Sequence, residues 1–375
     1  MAKRQRTLED VELSRLFNGI YAGRRVLITG HTGFKGSWLA LWLHSLGADV
    51  GGLALDPDTK PSHWDLLGLR LAHDARVDLR NAGDVESVLA GFQPEVVFHL
   101  AAQPLVRRGY RDPVATFGSN VTGLIHLLEA VRRCPSVRVV VNATTDKVYE
   151  LHATAGGYRE DDPLGAHDPY STSKACAELV SNCYRRSYFG GDDGGGSPVR
   201  LATARAGNVV GGGDWAEDRL VPDLVRAAVS GQSLHLRNPR AIRPWQHVLE
   251  PLSGYLRIGQ AMLTGEAAGG AWNFGPRADT ALTVAEVVEQ LRSDWPRFRV
   301  EHDNGPHPHE AAELTLNCSK AARELGWHPV WNSATTLQRT GRWYRDFHDN
   351  GNLASQDDLA AYVADARRAG LGWAA

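Results

Sequence analysis

The feature that most constrains the fold is a regular alternation of short apolar runs with helix-length segments, which begins at Arg25. Between the runs, apolar residues recur with helical spacing. Repeated strand–helix–strand units form a parallel sheet covered on both faces, and right-handed crossovers make it doubly wound. We therefore predict an α/β fold with a doubly wound parallel sheet. The runs predicted as its first strands are RVLIT (25–29), DVGGLALD (49–56), ARVDLRN (75–81), EVVFHLAA (95–102) and VRVVVNAT (137–144).

Composition narrows the class of protein. The chain has 375 residues, 43% of them hydrophobic, which suits one large or two fused globular domains. A formal net charge of −2 gives no reason to expect binding to nucleic acid or to an anionic membrane surface. We see no signal peptide and no apolar run near the roughly 20 residues of a membrane span. The four cysteines lack metal-ligand spacing, so we expect a cytoplasmic protein without a metal site, with its cysteines in the core.

A glycine-rich turn, TGHTGFKG, follows the first predicted strand and places Gly30, Gly33 and Gly36 before a helix. Such glycines let a pyrophosphate approach backbone amides at a helix N-terminus, as in Rossmann-type dinucleotide sites. Asp56, at the end of the second strand, would accept a ribose hydroxyl, which favours NAD over NADP, although a turn carboxylate is an equal alternative. Asp78 has the same two interpretations, as a ligand of the adenine amino group or as an exposed turn residue. The other predicted cofactor contacts are Thr32, Phe34, Leu79, Leu100, Ala101 and Ala102.

The second half of the chain is less regular. A long helix is predicted from Tyr170 to about Phe189, followed by the loop GGDDGGGSP and a sixth strand, VRLATARAGNVV (199–210). Pro-, Trp- and Gly-rich segments then predict a smaller mixed α/β lobe over the carboxyl edge of the sheet. The predicted organisation is an N-terminal extension (1–22), a Rossmann-type NAD-binding domain (23–210) to which some later segments return, a mainly substrate-binding lobe (211–345) and an exposed C-terminal helical tail (346–375).

Two motifs indicate chemistry at the strand ends. DPYSTSKACAELV places Tyr170 and Lys174 four residues apart on one helix face, where the ammonium would lower the pKa of the phenol. Such a phenolate can take the proton of an alcohol while hydride leaves for a nicotinamide. ATTDKVY (143–149) ends the fifth strand in three polar side chains, and Thr145 could bind the same hydroxyl; alone, it would be interpreted as a strand-end residue bonded to local backbone.

These motifs, with the longer phrases HTGFKGSW and RPWQHVLEPLSGY, resemble the extended short-chain dehydrogenase/reductase superfamily of nucleotide-sugar enzymes. Within it the sequence is most similar to the CDP-glucose 4,6-dehydratases. The resemblance extends from about Val26 to about Trp331 and leaves out both ends. Departures are modest, since Thr145, Val148 and Glu150 stand where that group usually has Ser, Cys and Asp. Threonine at position 145 keeps the hydroxyl that serine would provide there.

The resemblance implies an NAD-dependent dehydration of CDP-D-glucose to CDP-4-keto-6-deoxy-D-glucose. Tyr170, helped by Lys174 and Thr145, would deprotonate the sugar 4-hydroxyl during oxidation at C4. Asp146 would then protonate the departing 6-hydroxyl, and Lys147 would take the C5 proton or stabilise the enolate. Alternatives are a 4-epimerase or 4-reductase of the same superfamily, a 4,6-dehydratase for another nucleotide sugar, or a non-catalytic NAD-binding scaffold.

Substrate contacts are predicted partly from chemistry and partly from the resemblance. Arg219 and Arg243 are candidate pyrophosphate ligands, because guanidinium matches phosphate geometry. HPHEA (307–311) lacks a third cluster of metal ligands, so it is interpreted as part of the substrate lobe. The resemblance also implies a homodimer, paired through the segments 113–133 and 170–189. The remaining predicted substrate contacts are Gln103, Asn120, Asn208 and His309.

Overall fold

A seven-stranded sheet, in which every neighbouring pair is parallel, forms the centre of the protein. The computed structural model describes residues 12–152, 154, 156–190, 197–236, 238–267, 269–277, 281–302 and 314–375. The strands of this sheet are β1 (Arg25–Thr29), β2 (Asp49–Ala54), β3 (His73–Arg76), β4 (Val96–His99), β5 (Val139–Ala143), β6 (Arg200–Ala206) and β7 (Gly270–Phe274). Their spatial order is β7-β6-β5-β4-β1-β2-β3, which confirms the predicted doubly wound fold.

The chain reverses its direction of travel across the sheet between β1 and β4. From β1 it moves outward to β2 and β3, and then returns to the other side of β1 as β4. Ligands of open parallel sheets bind outside the carboxyl ends of the strands at such a reversal. The third strand ends at Arg76, earlier than predicted, so that Asp78 lies in the loop that follows it.

Helices cover both faces of the sheet and continue into the second half of the chain. They are α1 (Phe34–Ser45), α2 (His63–Leu67), α3 (Ala82–Phe92), α4 (Val106–Arg111), α5 (Pro113–Phe117), α6 (Gly123–Arg132), α7 (Pro169–Ser187), α8 (Leu220–Val229), α9 (Leu249–Thr264), α10 (Val284–Asp294), α11 (Ser319–Leu325), α12 (Ser333–Asn350) and α13 (Ser355–Arg368). Side chains alternate along β1, so that Val26 and Ile28 belong to the core on one face and Leu27 to the core on the other.

Both ends of the described chain pack into the core of the sheet. Phe17 stacks on Trp373, with ring centroids 5.1 Å apart, and the Tyr21 hydroxyl donates to the Leu256 carbonyl of α9 at 2.5 Å. Tyr362 of α13 is fully buried against the same core. The prediction that the tail is exposed was therefore wrong for α13, because its apolar stripe covers α1 and α9. Short helices near both ends are Leu16–Gly19 and Gly372–Ala374.

A second core lies beyond β6 and includes Trp215, Leu291, Trp343 and Tyr344. It is built from α8, α10 and α12 together with pairs of short strands. The pairs are Val209–Val210 with Gln246–His247, Ile242–Pro244 with Ala281–Thr283, and Leu234–Leu236 with Val300–His302. The mixed α/β character predicted for the second half is present in this region.

The segment between β4 and β5 has the helical structure that its apolar spacing predicts, but the helix is divided. A π-helical turn, Gly118–Thr122, separates α5 from α6. Such turns are rare and occur often beside functional sites. By length and composition, this run (113–132) could also cross a membrane, with a mean hydropathy of 1.2 and 44% of the window buried. Helices in the core of a protein share this length and composition, so this helix alone is weak evidence of a membrane span.

Two further observations concern cysteines and metals. Cys134 is buried, whereas Cys183 is exposed, so the expectation that all cysteines lie in the core was wrong for Cys183. Within the described part of the chain, no group of three or more His, Cys, Asp or Glu side chains could hold a metal ion.

Candidate active site

The turn between β1 and α1 brings backbone segments so close that two of its glycines cannot carry a side chain. Gly30 has a φ of 76°, and a Cβ there would lie 2.7 Å from the Cα of Ala101. A Cβ on Gly36 would lie 2.0 Å from the carbonyl oxygen of Gly30. Gly33 precedes the first turn of α1, and no side chain caps that helix end. The first amides of α1 therefore remain available to an anionic group, which fits the pyrophosphate of NAD.

The ends of β2 and β3 carry the carboxylates predicted to bind the cofactor. The Asp56 side chain is 85% exposed, and Arg76 Nε lies 3.3 Å from its carboxylate. Thr32 ties the glycine turn to this edge, since its hydroxyl donates to the Leu55 carbonyl at 2.9 Å. Asp56 is thus free to reach a ribose hydroxyl, and its role stays a prediction.

The carboxylate of Asp78 is held by its neighbour Arg80. The Arg80 Nη2 donates to Asp78 at 2.6 Å, and this hydrogen bond lowers the pKa of the carboxyl. Leu79 is buried, and its carbonyl accepts a hydrogen bond from Nδ1 of His126 at 2.9 Å, which ties this loop to α6. A carboxylate that is held ionised can accept the adenine amino group, which also stays a prediction.

The loop after β4 is held in place by a network of amide side chains. The Thr29 hydroxyl accepts the Ala101 amide at 3.2 Å, and Leu100 and Ala102 flank this contact. The Asn120 side chain accepts the Gln103 amide at 2.8 Å, and its nitrogen donates to the Gln103 carbonyl and to Ser173. Gln103 and Asn120 were predicted as substrate contacts. In the structure they make these hydrogen bonds within the protein and hold the loop in place.

The polar turn after β5 buries its acid. Asp146 is 5% exposed and opens a short 3-10 turn, Asp146–Val148. The Thr145 hydroxyl donates to Asp146 Oδ1 at 2.9 Å. Burial raises the pKa of Asp146, while the ammonium of Lys147 opposes the shift. A Cβ on Gly207 would lie 3.1 Å from Asp146 Oδ2, so the end of β6 closes against the carboxyl.

Helix α7 presents the tyrosine and lysine to this turn. The helix starts with Pro169, and the Asp168 side chain caps it by accepting the Ser171 amide at 3.0 Å. Tyr170 is 8% exposed, and a hydrogen bond with Thr145 lowers the pKa of its phenol. The predicted contact of both side chains with a sugar hydroxyl stays a prediction.

The pKa of Tyr170 differs from the expectation. Burial raises it to about 12, against the lowering effects of the Thr145 hydrogen bond and of Arg219. The ammonium of Lys174 donates to the Ala143 carbonyl at 3.0 Å, away from the phenol, which explains why the predicted lowering by Lys174 is not found. Burial lowers the pKa of Lys174 itself to about 8.

Two cationic side chains from other elements complete the site. Arg219 stands just before α8, and its Nη1 donates to the buried Asp214 at 2.8 Å. Lys35 lies in the first turn of α1. Burial lowers its pKa to about 8, with Arg219 and Lys174 adding to the shift and Asp146 opposing it. Positive charge is thus concentrated beside Tyr170 and Asp146, where a diphosphate can be bound.

The remaining predicted substrate contacts differ in how well they are placed. Asn208 follows β6 directly after Gly207, which contacts Asp146. Arg243 lies in a short strand of the second core and pairs in register with Leu282. His309 lies outside the described residues. The charge of Arg219 therefore acts on Tyr170, whereas the substrate contacts of Asn208 and Arg243 stay predictions.

Sequence reasoning missed several residues that form this site. Glu178 lies one helical turn after Lys174 and is 4% exposed, and the i, i+4 series from Tyr170 could have revealed it. Arg205 is 3% exposed, and a charge inside an apolar strand was the available signal. Lys35 is visible only as an unusual residue between the glycines.

The fold and site define a Rossmann-type, NAD-dependent short-chain dehydrogenase/reductase of the nucleotide-sugar class. A family model described as GDP-mannose 4,6 dehydratase matches residues 27–340, and the chain belongs to this family of 4,6-dehydratases. A CDP-glucose 4,6-dehydratase from Salmonella typhimurium is 47% identical over 355 residues, covering 93% of this chain and 98% of the relative.

Two solved structures share the fold and the cofactor. A dTDP-glucose 4,6-dehydratase from Streptomyces venezuelae, solved with NAD, is 27% identical with a TM-score of 0.71, covering 87% of this chain and 98% of its own. A UDP-glucose 4-epimerase from Thermus thermophilus, in complex with NAD, is 25% identical with a TM-score of 0.72, covering 86% and 99%.

Proposed function

We propose that this protein converts CDP-D-glucose to CDP-4-keto-6-deoxy-D-glucose and water. The observation that carries the proposal is a buried acid, Asp146, followed by Lys147 and placed beside Tyr170. The choice of CDP rests on the relative that is 47% identical over 93% of the chain.

NAD, when bound, supplies a hydride acceptor and a positive charge. Tyr170 takes the proton of the sugar 4-hydroxyl, and Thr145 holds that hydroxyl. Positive charge from Arg219 favours the phenolate and so opposes the effect of burial, although the pKa of Tyr170 stays raised, at about 12. The resulting 4-ketone acidifies the proton at C5, which prepares the elimination.

Elimination needs an acid and a base on this side of the sugar. Burial raises the pKa of Asp146, which favours the protonated carboxyl that donation to the departing 6-hydroxyl requires. Lys147, the next residue, would take the C5 proton or stabilise the enolate. Return of the hydride to C6 and of a proton to C5 would then give the 6-deoxy sugar without net oxidation.

Arg219 and Arg243 are proposed to bind the pyrophosphate, and Asn208 to contact the sugar or a phosphate. Asp56 and Asp78 are proposed to hold the ribose and adenine of NAD. Of these residues Arg219 has the strongest support, since its charge acts on Tyr170 directly. The proposed location is the cytoplasm.

An epimerase or reductase of the same class is the main alternative. Either reaction needs Tyr170 and Lys174 but no acid for a leaving hydroxyl. The buried Asp146 therefore favours dehydration. To decide, the purified protein is incubated with CDP-, dTDP-, UDP- and GDP-glucose, and the products are analysed by mass spectrometry. We expect loss of one water from CDP-glucose; a product of unchanged mass would contradict the proposal.

We also propose that the protein is a homodimer paired through α5, α6 and α7. Helices α6 and α7 lie side by side, since the Tyr184 hydroxyl donates to Glu129 at 2.8 Å. Val114 of α5 is 82% exposed and Leu179 of α7 is 58% exposed. Apolar side chains that form a contiguous patch on a surface mark an association site.

A further inference from the structure

The turn that carries Asp146 and Lys147 is anchored at both ends by one buried ion pair. Arg205 Nη2 of β6 donates to Glu178 Oε2 of α7 at 2.9 Å, and both side chains are at most 4% exposed. Buried charges are tolerated only when they are paired and hydrogen-bonded. The other hydrogen bonds of Glu178 and Arg205 show which residues the ion pair holds in place.

Glu178 holds the start of the turn. Its Oε1 accepts the Thr144 hydroxyl at 2.5 Å, and its Oε2 accepts the Thr203 hydroxyl at 2.7 Å. Thr144 immediately precedes Thr145, and its amide also donates to the Ala204 carbonyl at 2.9 Å. The residue before the catalytic turn is therefore fixed to both α7 and β6.

Arg205 holds the end of the turn. Its Nη1 donates to the Tyr149 hydroxyl at 2.8 Å, and that hydroxyl donates to Asn273 Oδ1 at 2.7 Å. The Tyr149 ring also stacks on Tyr158, with centroids 4.9 Å apart. Tyr149 immediately follows Val148, the last residue of the 3-10 turn.

The oxidation at C4 and the elimination of water depend differently on these two anchors. Tyr170 and Lys174 lie on α7 itself, on the same face as Glu178, and Thr145 directly follows Thr144, which Glu178 holds. The groups assigned to the oxidation are therefore placed by α7 and not by the Tyr149 hydroxyl. Asp146 and Lys147 lie on the turn between the two anchors. A displacement of about 1 Å can reduce the rate of a step by roughly 10²-fold.

We propose that Tyr149, held by the Glu178–Arg205 ion pair, is a positioning residue that places Asp146 and Lys147 for the elimination, and that the oxidation at C4 does not require it. This inference rests on the proposed dehydratase function. Removing the Tyr149 hydroxyl should slow water loss and leave the formation of the 4-ketone nearly unchanged.

Tyr149→Phe tests this, because it removes the two hydroxyl contacts and keeps the ring. Enzyme loaded with NAD is mixed with CDP-glucose in a single turnover, and the absorbance of NADH is followed as it rises and decays. We expect the rise within about twofold of wild type and the decay slowed roughly tenfold or more. Release of the 4-keto sugar that retains its 6-hydroxyl, measured by mass spectrometry, should increase in parallel.

Tyr362→Phe is the matched control. It removes another buried hydroxyl, which donates to Glu250 at 2.7 Å in the packing of α13, and should leave both phases unchanged. Arg205→Lys is a second variant, because an ammonium keeps the charge opposite Glu178 but cannot donate to both partners in the guanidinium geometry. It should show the same selective loss, with thermal unfolding measured for each variant.

The outcomes separate the two proposals. If the rise and decay fall by the same factor, or if neither changes in Tyr149→Phe, the positioning role is wrong. If wild-type protein does not remove water from CDP-glucose, the proposed function is wrong in its substrate. The same comparison then uses whichever nucleotide sugar the protein accepts, and it still decides the role of Tyr149.

Discussion

At the residue scale, the glycine turn allows a prediction that does not depend on the sugar substrate. A Cβ at Gly36 would lie 2.0 Å from the Gly30 carbonyl oxygen, so Gly36→Ala must displace the turn or the start of α1. We expect NAD affinity to fall at least tenfold, since the backbone amides would leave their positions at the pyrophosphate. Quenching of tryptophan fluorescence by NAD measures the affinity.

Gly91→Ala is the matched control for this change. Gly91 lies in α3, and nothing lies within 4 Å of a Cβ placed there. Alanine is favoured over glycine inside helices by roughly 1 kcal/mol, so this variant should bind NAD normally and unfold at a slightly higher temperature. Equal NAD affinity in both variants would mean that the close approach in the turn does not matter.

The acid role of Asp146 leads to a second prediction at this scale. Asp146→Asn keeps the shape of the side chain but cannot donate a carboxyl proton, so we expect water loss to slow by roughly 10²-fold or more. Oxidation at C4 should continue and produce NADH. In deuterated water, mass spectrometry of the sugar measures both the oxidation at C4 and the loss of water. Asp161→Asn changes an exposed carboxylate nearby and should behave as wild type; equal rates of water loss in the two variants would contradict the role of Asp146.

Residue patterns predicted some members of the site and not others. Thr145 and Tyr170 could be placed together because the carboxyl end of a strand and the start of the next helix meet at one edge of a parallel sheet. The pairing of Glu178 with Arg205 could not be predicted, because a charged residue in a sequence gives no sign of whether its partner lies across the core. The raised pKa of Tyr170 was also missed, since burial depends on the packed structure.

At the element scale, α13 shows how an apolar stripe can be overlooked. Its sequence contains Gln, Asp and Arg on one face, which suggested an exposed helix, but Leu359, Tyr362, Val363 and Ala366 are buried against the sheet core. The strands were easier to predict, because continuous Val-rich runs suit a sheet that is buried on both faces. The π-helical turn at 118–122 has no comparable signal in sequence.

Helix α13 also carries a buried carboxyl whose titration should affect stability. Asp358 is 2% exposed, burial raises its pKa to about 7, and its Oδ2 has no hydrogen-bond partner within the described part of the chain. The folded protein keeps this proton over a range in which an unfolded chain, with an Asp pKa near 4, has lost it. The stabilising effect is therefore full below about pH 4 and is lost as pH rises towards 7.

Asp358→Asn should remove this dependence. At pH 8 we expect its free energy of unfolding to exceed that of wild type by on the order of 2 kcal/mol, and at pH 4 the two should agree. Thermal unfolding across this range measures the difference. Asp161→Asn changes an exposed carboxylate that does not act on Asp358, and it should follow wild type at every pH. A constant difference between Asp358→Asn and wild type would contradict the titration.

At the scale of the whole molecule, the two cores do not follow the order of the chain. The sheet core contains Phe17 from the N-terminal segment, Trp327 from between two helices of the second core, and Trp373 from the other end. We propose that residues 12–22 and 355–375 belong to the NAD-binding domain, and that the lobe from about 211 to 345 is interrupted by α9, β7 and α11. It is hard to predict from sequence that later segments return to the sheet core, because each of these segments is short and none is part of a sequence repeat.

The proposed homodimer gives the last prediction. Leu179 is 58% exposed on α7, beside α6, and an arginine there would place a charge in the centre of an apolar interface. We expect wild type to sediment as a dimer and Leu179→Arg as a monomer. Val229→Arg is the matched control, because Val229 is 52% exposed at the end of α8.

Sedimentation velocity distinguishes the outcomes. If Leu179→Arg and Val229→Arg sediment alike as dimers, pairing uses another surface; if wild type is monomeric, the apolar face of α5, α6 and α7 is not a self-association site. Activity adds a second criterion. Tyr170 and Lys174 start the same helix that carries Leu179, so a dimer built on α7 would hold the catalytic helix from its outer side. We therefore expect separation of the subunits to reduce turnover as well as mass.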